Sequence, residues 1–276
     1  MHLARFFFNW IPIFLLINPS ADAHLFRVVI DPGHGGADEG AVFQSGKYRI
    51  TEKMITLKLA HQVAHQLQSK GYWVKLTRAS DQEISLKQRT AIANRIQADA
   101  FISIHMNSTD GRNLTNTQGN AQGIETYILN NTTDASSRRL AHLENSMISP
   151  SDSNSPEQKD VALILKDLRL DANLLDSKRL ACHIQEKLVA ATSQRRAASK
   201  RDRGVKQALF HVLLGADMPS VLVEAGFLNN TQDRIFVLSA RGQLLISHSI
   251  TQAVDDFRNQ KETRQKSVTW NKCKVH

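Results

Sequence analysis

The sequence predicts a single domain built on an open, mostly parallel twisted α/β sheet flanked by helices on both faces. Three observations predict it. Short apolar runs alternate with amphipathic helical patterns along the chain, the mark of βα units. The run Ala100-Phe101-Ile102-Ser103-Ile104-His105 is apolar almost to its end, as strands covered on both faces are. Neither a repeat nor a linker sets off a second domain.

Arg27-Val28-Val29-Ile30-Asp31 reads as a buried strand ending in a Pro-Gly turn. A helix is expected over residues 51–69, where Ile55, Leu59, Val63 and Leu67 share one face and Gly71 closes it. Residues 72–77 make the second strand. Ser85-Leu86-Lys87-Gln88 resembles a capping box, opening a helix that turns Leu86, Ala93 and Ile96 inward. After the strand at 100–105 a polar Gly/Asn/Thr loop is expected over 107–122, and further strands follow at 123–129 and 220–224. Helical patterns lie near 135–148, 160–170, 173–192 and 241–257, with a loop at 148–156 inside the domain. The domain is expected to fill residues 24–258, leaving 259–276 as a basic, frayed tail.

Hydrophobic residues make up 41% of the 276 and charged residues 22%, which excludes a mostly disordered chain, a collagen-like fibre and a polytopic membrane protein. Lys and Arg number 35 against 26 Asp and Glu, and the resulting +9 favours anionic partners. The amino-terminal stretch, residues 1–23, narrows the choice. Arg5 precedes an apolar run from Phe6 to Ile17, and Ala21-Asp22-Ala23 supplies a signal-peptidase site. That run is short for a bilayer span and contains Asn9 and Pro12, which favours a cleaved signal over an uncleaved anchor and leaves no stable transmembrane segment. Export to the periplasm argues against nucleic acid and for an anionic wall or membrane surface, with solubility alone as the bland alternative. The densest basic stretch, residues 195–203, reads as a solvated connection, and contact with wall material or headgroups is the other reading. An oxidising compartment permits a Cys182–Cys273 bridge. A buried, unpaired Cys182 in its helical pattern is an equal reading.

In open α/β sheets ligands bind beyond the carboxyl ends of the strands. His34 follows the first strand, His105 ends the third, Glu224 ends the late one, and Glu52 opens the first helix, where a negative charge suits the terminus. Four such residues converge on one rim. Two imidazoles and a carboxylate form a standard set for catalytic zinc with one position open, and the remaining carboxylate is then available as general base. A turn-stabilising His34 and a satisfied core His105 are the structural alternatives.

Several stretches together resemble the zinc-dependent N-acetylmuramoyl-L-alanine amidases of bacterial cell division. They are Val28-Val29-Ile30-Asp31-Pro32-Gly33-His34-Gly35-Gly36, Thr51-Glu52-Lys53, Thr77-Arg78, Leu86-Lys87-Gln88-Arg89, the run 98–107, Gly123-Ile124-Glu125-Thr126-Tyr127, and the runs 207–213 and 219–230. The resemblance covers about residues 27–257 in the family's order. It implies that His34, Glu52 and His105 bind one zinc ion, that Glu224 is the catalytic carboxylate, and that the substrate is peptidoglycan, cut between N-acetylmuramic acid and L-alanine. An exported wall-binding or scaffold module without catalysis, and a zinc peptidase cutting within the stem peptide, are the rival functions.

Around those residues, Asn107 is a candidate donor to the developing oxyanion or a structural side chain, and Glu125 supports the site or the fold. Gly33, Gly35 and Gly36 allow close backbone approach around His34; the full phosphate-loop pattern is absent. The resemblance also implies a regulatory segment over residues 140–175 that covers the zinc until a degenerate LytM-domain activator displaces it, with Glu144 or Glu157 filling the open position. The family's acidic, glycine-rich stretch after Glu-Asn is altered here to Ser146-Met147-Ile148-Ser149-Pro150-Ser151-Asp152.

Overall fold

The computed structural model describes residues 25–109, 113–115, 121–146, 169–192, 201–263, 273 and 275. Nine strands and six helices are described: β1 (Arg27–Pro32), β2 (Val42–Ser45), β3 (Tyr48–Thr51), α1 (Glu52–Ser69), β4 (Trp73–Leu76), α2 (Leu86–Arg95), β5 (Ala100–Asn107), β6 (Asn113–Thr115), β7 (Ile124–Leu129), α3 (Ala135–Asn145), α4 (Arg169–Thr192), β8 (Asp202–Ala208), β9 (Ser220–Phe227), α5 (Thr231–Leu238) and α6 (Ala240–Thr263). Six strands form the main sheet in the order β4-β1-β5-β9-β7-β8, and β3-β2-β6 form a small second one. Pairing in the main sheet is parallel except between β7 and β9.

Alternation along the strands divides the core into two layers. Val28, Ile30, Ile102, Ile104, Val221 and Val223 face α1, α4 and α6, whose Leu59, Val63, Leu180, Ile184, Ile250 and Phe257 complete one cluster. Their strand neighbours Val29, Phe101 and Leu222 face the other way, toward Ala93 of α2 and Leu140 and Ala141 of α3. Helices therefore cover both faces, as expected. Strand β1 has β4 on one side and β5 on the other, so the winding reverses between β1 and β5 and opens a crevice at their carboxyl ends.

The capping box at α2 is present in both halves, and Thr51 is the N-cap of α1. Strand β9 and helix α6 run further than the sequence suggests, to Phe227 and Thr263. The β2–β3 hairpin, β6, β8 and α5 were not anticipated. The tail expected to fray from residue 259 needs correction. Helix α6 continues to Thr263, Cys273 is bonded to Cys182 of α4, and Val275 pairs beside Val205 of β8. A covalent tether and apolar contact with the core override the polar composition there. Of the two cysteine readings, the bridge is the one found.

Arg201 and Arg203, from the basic stretch, pair with Asp233 and Glu125 rather than with solvent alone. Residues 1–23, residues 160–168 of the helix read at 160–170, residues 147–168 of the regulatory segment and 195–200 of the basic stretch lie outside the described residues. Among the described residues no helix is long and apolar enough to cross a membrane.

Candidate metal centre

Each proposed ligand is placed by a distinct element at the β1/β5 crevice. His34 lies just past β1 with φ 61°. That is the left-handed region, which side chains other than glycine rarely adopt. His105 is near the end of β5, directly beside Glu224 of β9 in the parallel register. A register shift follows that pair, between His105 and Asn107. Glu52 begins α1. Gly33 leaves the His105 ring its place, since a Cβ there would lie 2.5 Å from the imidazole.

Glu52 Oε1 is 3.0 Å from His34 Nε2 and 3.1 Å from His105 Nδ1. Backbone N–H groups of Ala41 and Met106, each at 2.8 Å, fix its two oxygens. A fourth group joins them: Glu144, at the end of α3, brings Oε2 to 3.3 Å from His34 Nε2 and 3.2 Å from His105 Nδ1. One donor atom from each of the four residues lies within 4.8 Å of all the others. Asn145 secures that placement, donating to Leu209 O at 2.7 Å and accepting from His211 N at 2.8 Å. The cavity beside the cluster, bordered by Glu83, Ile84, Leu86 and Val212, measures about 40 Å³.

Zinc bonded tetrahedrally at about 2.0–2.2 Å sets its donors about 3.3–3.6 Å apart. The contacts here, 3.0 Å to 3.3 Å, approach that spacing. Imidazole with carboxylate is also a donor set that zinc accepts. His34 Nε2 supplies a second indication. Although close to two carboxylates, it is buried without an aligned hydrogen bond, as a nitrogen awaiting a cation would be. Asp38 orients the ring from behind, its Oδ2 lying 2.7 Å from Nδ1. Such an outer carboxylate fixes which ring nitrogen faces the metal.

Burial opposes charge on His34, yet Glu52, Glu144 and the Asp38 hydrogen bond outweigh it and push its pKa up to about 10. His105 is likewise raised, burial being overcome by Glu144 and Glu52. Burial works to raise Glu52, but the two imidazoles hold it far below the usual carboxylate range.

Glu224 differs from all of these. It is fully buried, and among the described residues neither carboxyl oxygen has a hydrogen-bond partner. Burial raises its pKa well above the ordinary value; His105 opposes this, while Glu52, Glu144 and Glu125 reinforce it. Asn107 donates to Glu125 at 2.8 Å, which makes it a supporting side chain. Glu125 also accepts from Tyr127 and Lys206 and sits in the strand facing Glu224. Sequence reasoning assigned no part to Asp38 or to Asn145. Glu144 it named only beside Glu157, which lies outside the described residues.

Convergent donors of this kind at the switch point of an α/β sheet define a candidate metal-binding α/β protein. The model of the N-acetylmuramoyl-L-alanine amidase family Amidase_3 matches residues 28–256, and the chain belongs to that family. It is 30% identical over 234 residues to the amidase AmiC of Neisseria meningitidis, an alignment that takes in 84% of this chain and 52% of that one. The chain thus spans about half the length of that relative. With AmiA of Escherichia coli it shares 32% over 247 residues, 87% of this chain and 80% of the other. Among solved structures, an N-acetylmuramoyl-L-alanine amidase of Clostridium difficile superposes with a TM-score of 0.62 at 28% identity, covering 86% of this chain and 98% of that one.

Proposed function

We propose that the chain is a zinc-dependent amidase that hydrolyses the bond between N-acetylmuramic acid and L-alanine in peptidoglycan, with His34, Glu52 and His105 as metal ligands and Glu224 as the catalytic carboxylate. The observation that carries this is the convergence of His34 Nε2, His105 Nδ1 and Glu52 Oε1 beside a buried carboxyl whose oxygens have no other partner. When bound, zinc supplies Lewis-acid polarisation of the scissile carbonyl and lowers the pKa of water.

The chain's own groups supply the rest. Glu224 takes a proton from the attacking water and returns one to the alanine nitrogen as the C–N bond breaks. Its unpaired burial makes it a willing acceptor, and a dication nearby favours its ionised form. Glu125, held by Lys206, Arg203, Tyr127 and Asn107, stays charged and does not compete for the proton. Asp38 keeps the His34 ring turned so that Nε2 points toward the other donors.

Regulation belongs to the same reading. With zinc bound, Glu144 would compete with water for the remaining donor position, so hydrolysis would require the end of α3 to withdraw, and a degenerate LytM-domain protein is the activator that the family resemblance implies. The closeness of Glu144 to both imidazoles supports this. Residues 1–23 support export to the periplasm, and a disulfide suits an oxidising compartment.

Digesting purified peptidoglycan with and without a chelator, then weighing the products, tests the function. Free stem peptides beside intact glycan strands, formed only with metal present, are expected. Cuts within the stem peptide, or release that a chelator leaves untouched, overturn it.

A further inference from the structure

Two buried arginines lie behind the metal centre. Arg78 is fully buried, and its guanidinium donates to Pro32 O at 3.0 Å, to Gly33 O at 2.8 Å and to Lys53 O at 2.9 Å, with Thr56 Oγ1 and Ser80 O at 3.2 Å. Arg89 donates to Pro32 O, to His34 O and to the buried Asp31 carboxylate, each at 2.8 Å, and to Ile84 O at 3.1 Å. The carbonyls of Pro32, Gly33 and His34, three in succession, therefore all end on guanidinium N–H groups. The same Arg78 nitrogen that holds Gly33 O also holds Lys53 O. Thus one atom joins the residue before His34 to the residue after Glu52.

We propose that Arg78 and Arg89 are positioning residues for the metal centre. Their paired guanidinium forks hold the His34 loop and the start of α1 in ligating geometry before any metal arrives. The proposal rests on the zinc reading above. Three observations support it. His34 carries an unfavourable left-handed backbone, which persists only where its surroundings over-determine it. Gly35 lets the backbone lie against the clamp: at φ +130°, a Cβ there would lie 2.3 Å from Gln82 O and 2.9 Å from Arg78 Cδ and Nε, so the glycine makes room for that carbonyl and for the guanidinium together. Finally, burying two like charges side by side is costly, and Arg78 has only neutral acceptors among the bonds named above. Asp31, Asp81 and Asp38 favour its charge without accepting any of those bonds, so neutralising a carboxylate does not set the direction of its fork, whereas fixing carbonyl directions does.

The fork, not the charge, is the active feature, so lysine is the discriminating substitution. In Arg89→Lys and Arg78→Lys, zinc affinity measured by chelator competition is expected to fall about 10–100-fold. The visible spectrum of the cobalt-substituted protein is expected to shift as the ligands lose their alignment. A folded variant that keeps wild-type zinc affinity and cobalt spectrum overturns the clamp. Where Arg78→Lys fails to fold, Arg89→Lys carries the test. A variant-free measurement stands beside both: in the metal-free wild-type protein the Nε–H protons of Arg78 and Arg89 should resist solvent exchange as they do with zinc bound, and rapid exchange overturns the clamp. Wild-type protein that binds no zinc overturns the reading of the site and the proposal with it. Tight wild-type binding matched by both lysine variants overturns the clamp alone.

Discussion

Glu125 and Glu224 face each other across the antiparallel β7–β9 pair, and their surroundings are opposite. Glu125 accepts hydrogen bonds from Asn107, Tyr127, Arg203 and Lys206. Glu224 accepts none. Two carboxyls pushed in opposite directions by their neighbours mark a division of labour between charge and proton transfer.

Replacing Glu224 by Gln is expected to lower turnover about 10²–10⁴-fold, the usual worth of a general base. Zinc content should be unchanged, because the other donors remain. His34→Ala should fail in the opposite order, losing metal first. Metal analysis alongside hydrolysis separates the two, and an active Glu224→Gln protein excludes Glu224 as the base.

Glu144→Ala should raise basal peptidoglycan hydrolysis by the folded chain, since its carboxylate occupies the approach to both imidazoles. Asn145→Ala is expected to act in the same direction and less strongly, because it releases α3 from Leu209 and His211 without removing the carboxylate. Rates equal to wild type in both variants would leave Glu144 no inhibitory role.

Stability of the metal-free chain should depend on pH through the imidazoles. The folded pKa of His34 is raised from 6.5 to about 10, so the folded state holds a proton that the unfolded chain releases in that interval. Its contribution is fully present below 6.5 and disappears as pH rises through about 10, with His105 acting in the same sense. Melting temperatures from pH 6.5 to about 10 should fall without metal. Saturating zinc should flatten the trend, because metal binding displaces the protons. A metal-free profile that rises over this range contradicts the ion-pair picture.

Cys182→Ser is expected to destabilise the fold by about 2–4 kcal/mol, the usual worth of a bridge closing a long loop. Denaturant unfolding with and without reductant measures it. The reduced wild-type protein should match the variant, and identical midpoints under all three conditions would show that the tether carries no stability.

Much of this was legible from residue order. The short apolar runs of β1, β5 and β9, buried on both faces, and the recurrence of Ile55, Leu59, Val63 and Leu67 mark the sheet and α1 without further information. Placement at strand ends brought out His34, His105 and Glu224, and placement at the start of α1 brought out Glu52. The hairpin had a readable signal in Gly46, which opens the tight turn between β2 and β3 at φ +56°. A glycine at positive φ is what short hairpin turns favour. Strand β6, three residues long and paired with β2, lies within the run read as a polar loop. Arg78, Arg89 and Asn145 act through contacts distant in sequence or through backbone atoms, neither of which leaves a spacing to read, whereas Asp38 stands only four residues from the His34 ring that it orients.

Sheet edges are templates on which a foreign strand can add, and proteins guard them. In the main sheet the two rims are β4 and β8. With Val275 seated beside Val205 and Cys273 bonded to α4, the rim at β8 is partly occupied by the chain's own terminal segment. Reduction would free that rim as well as lower stability, so oligomers built by strand addition should accumulate under reducing conditions and start from β8.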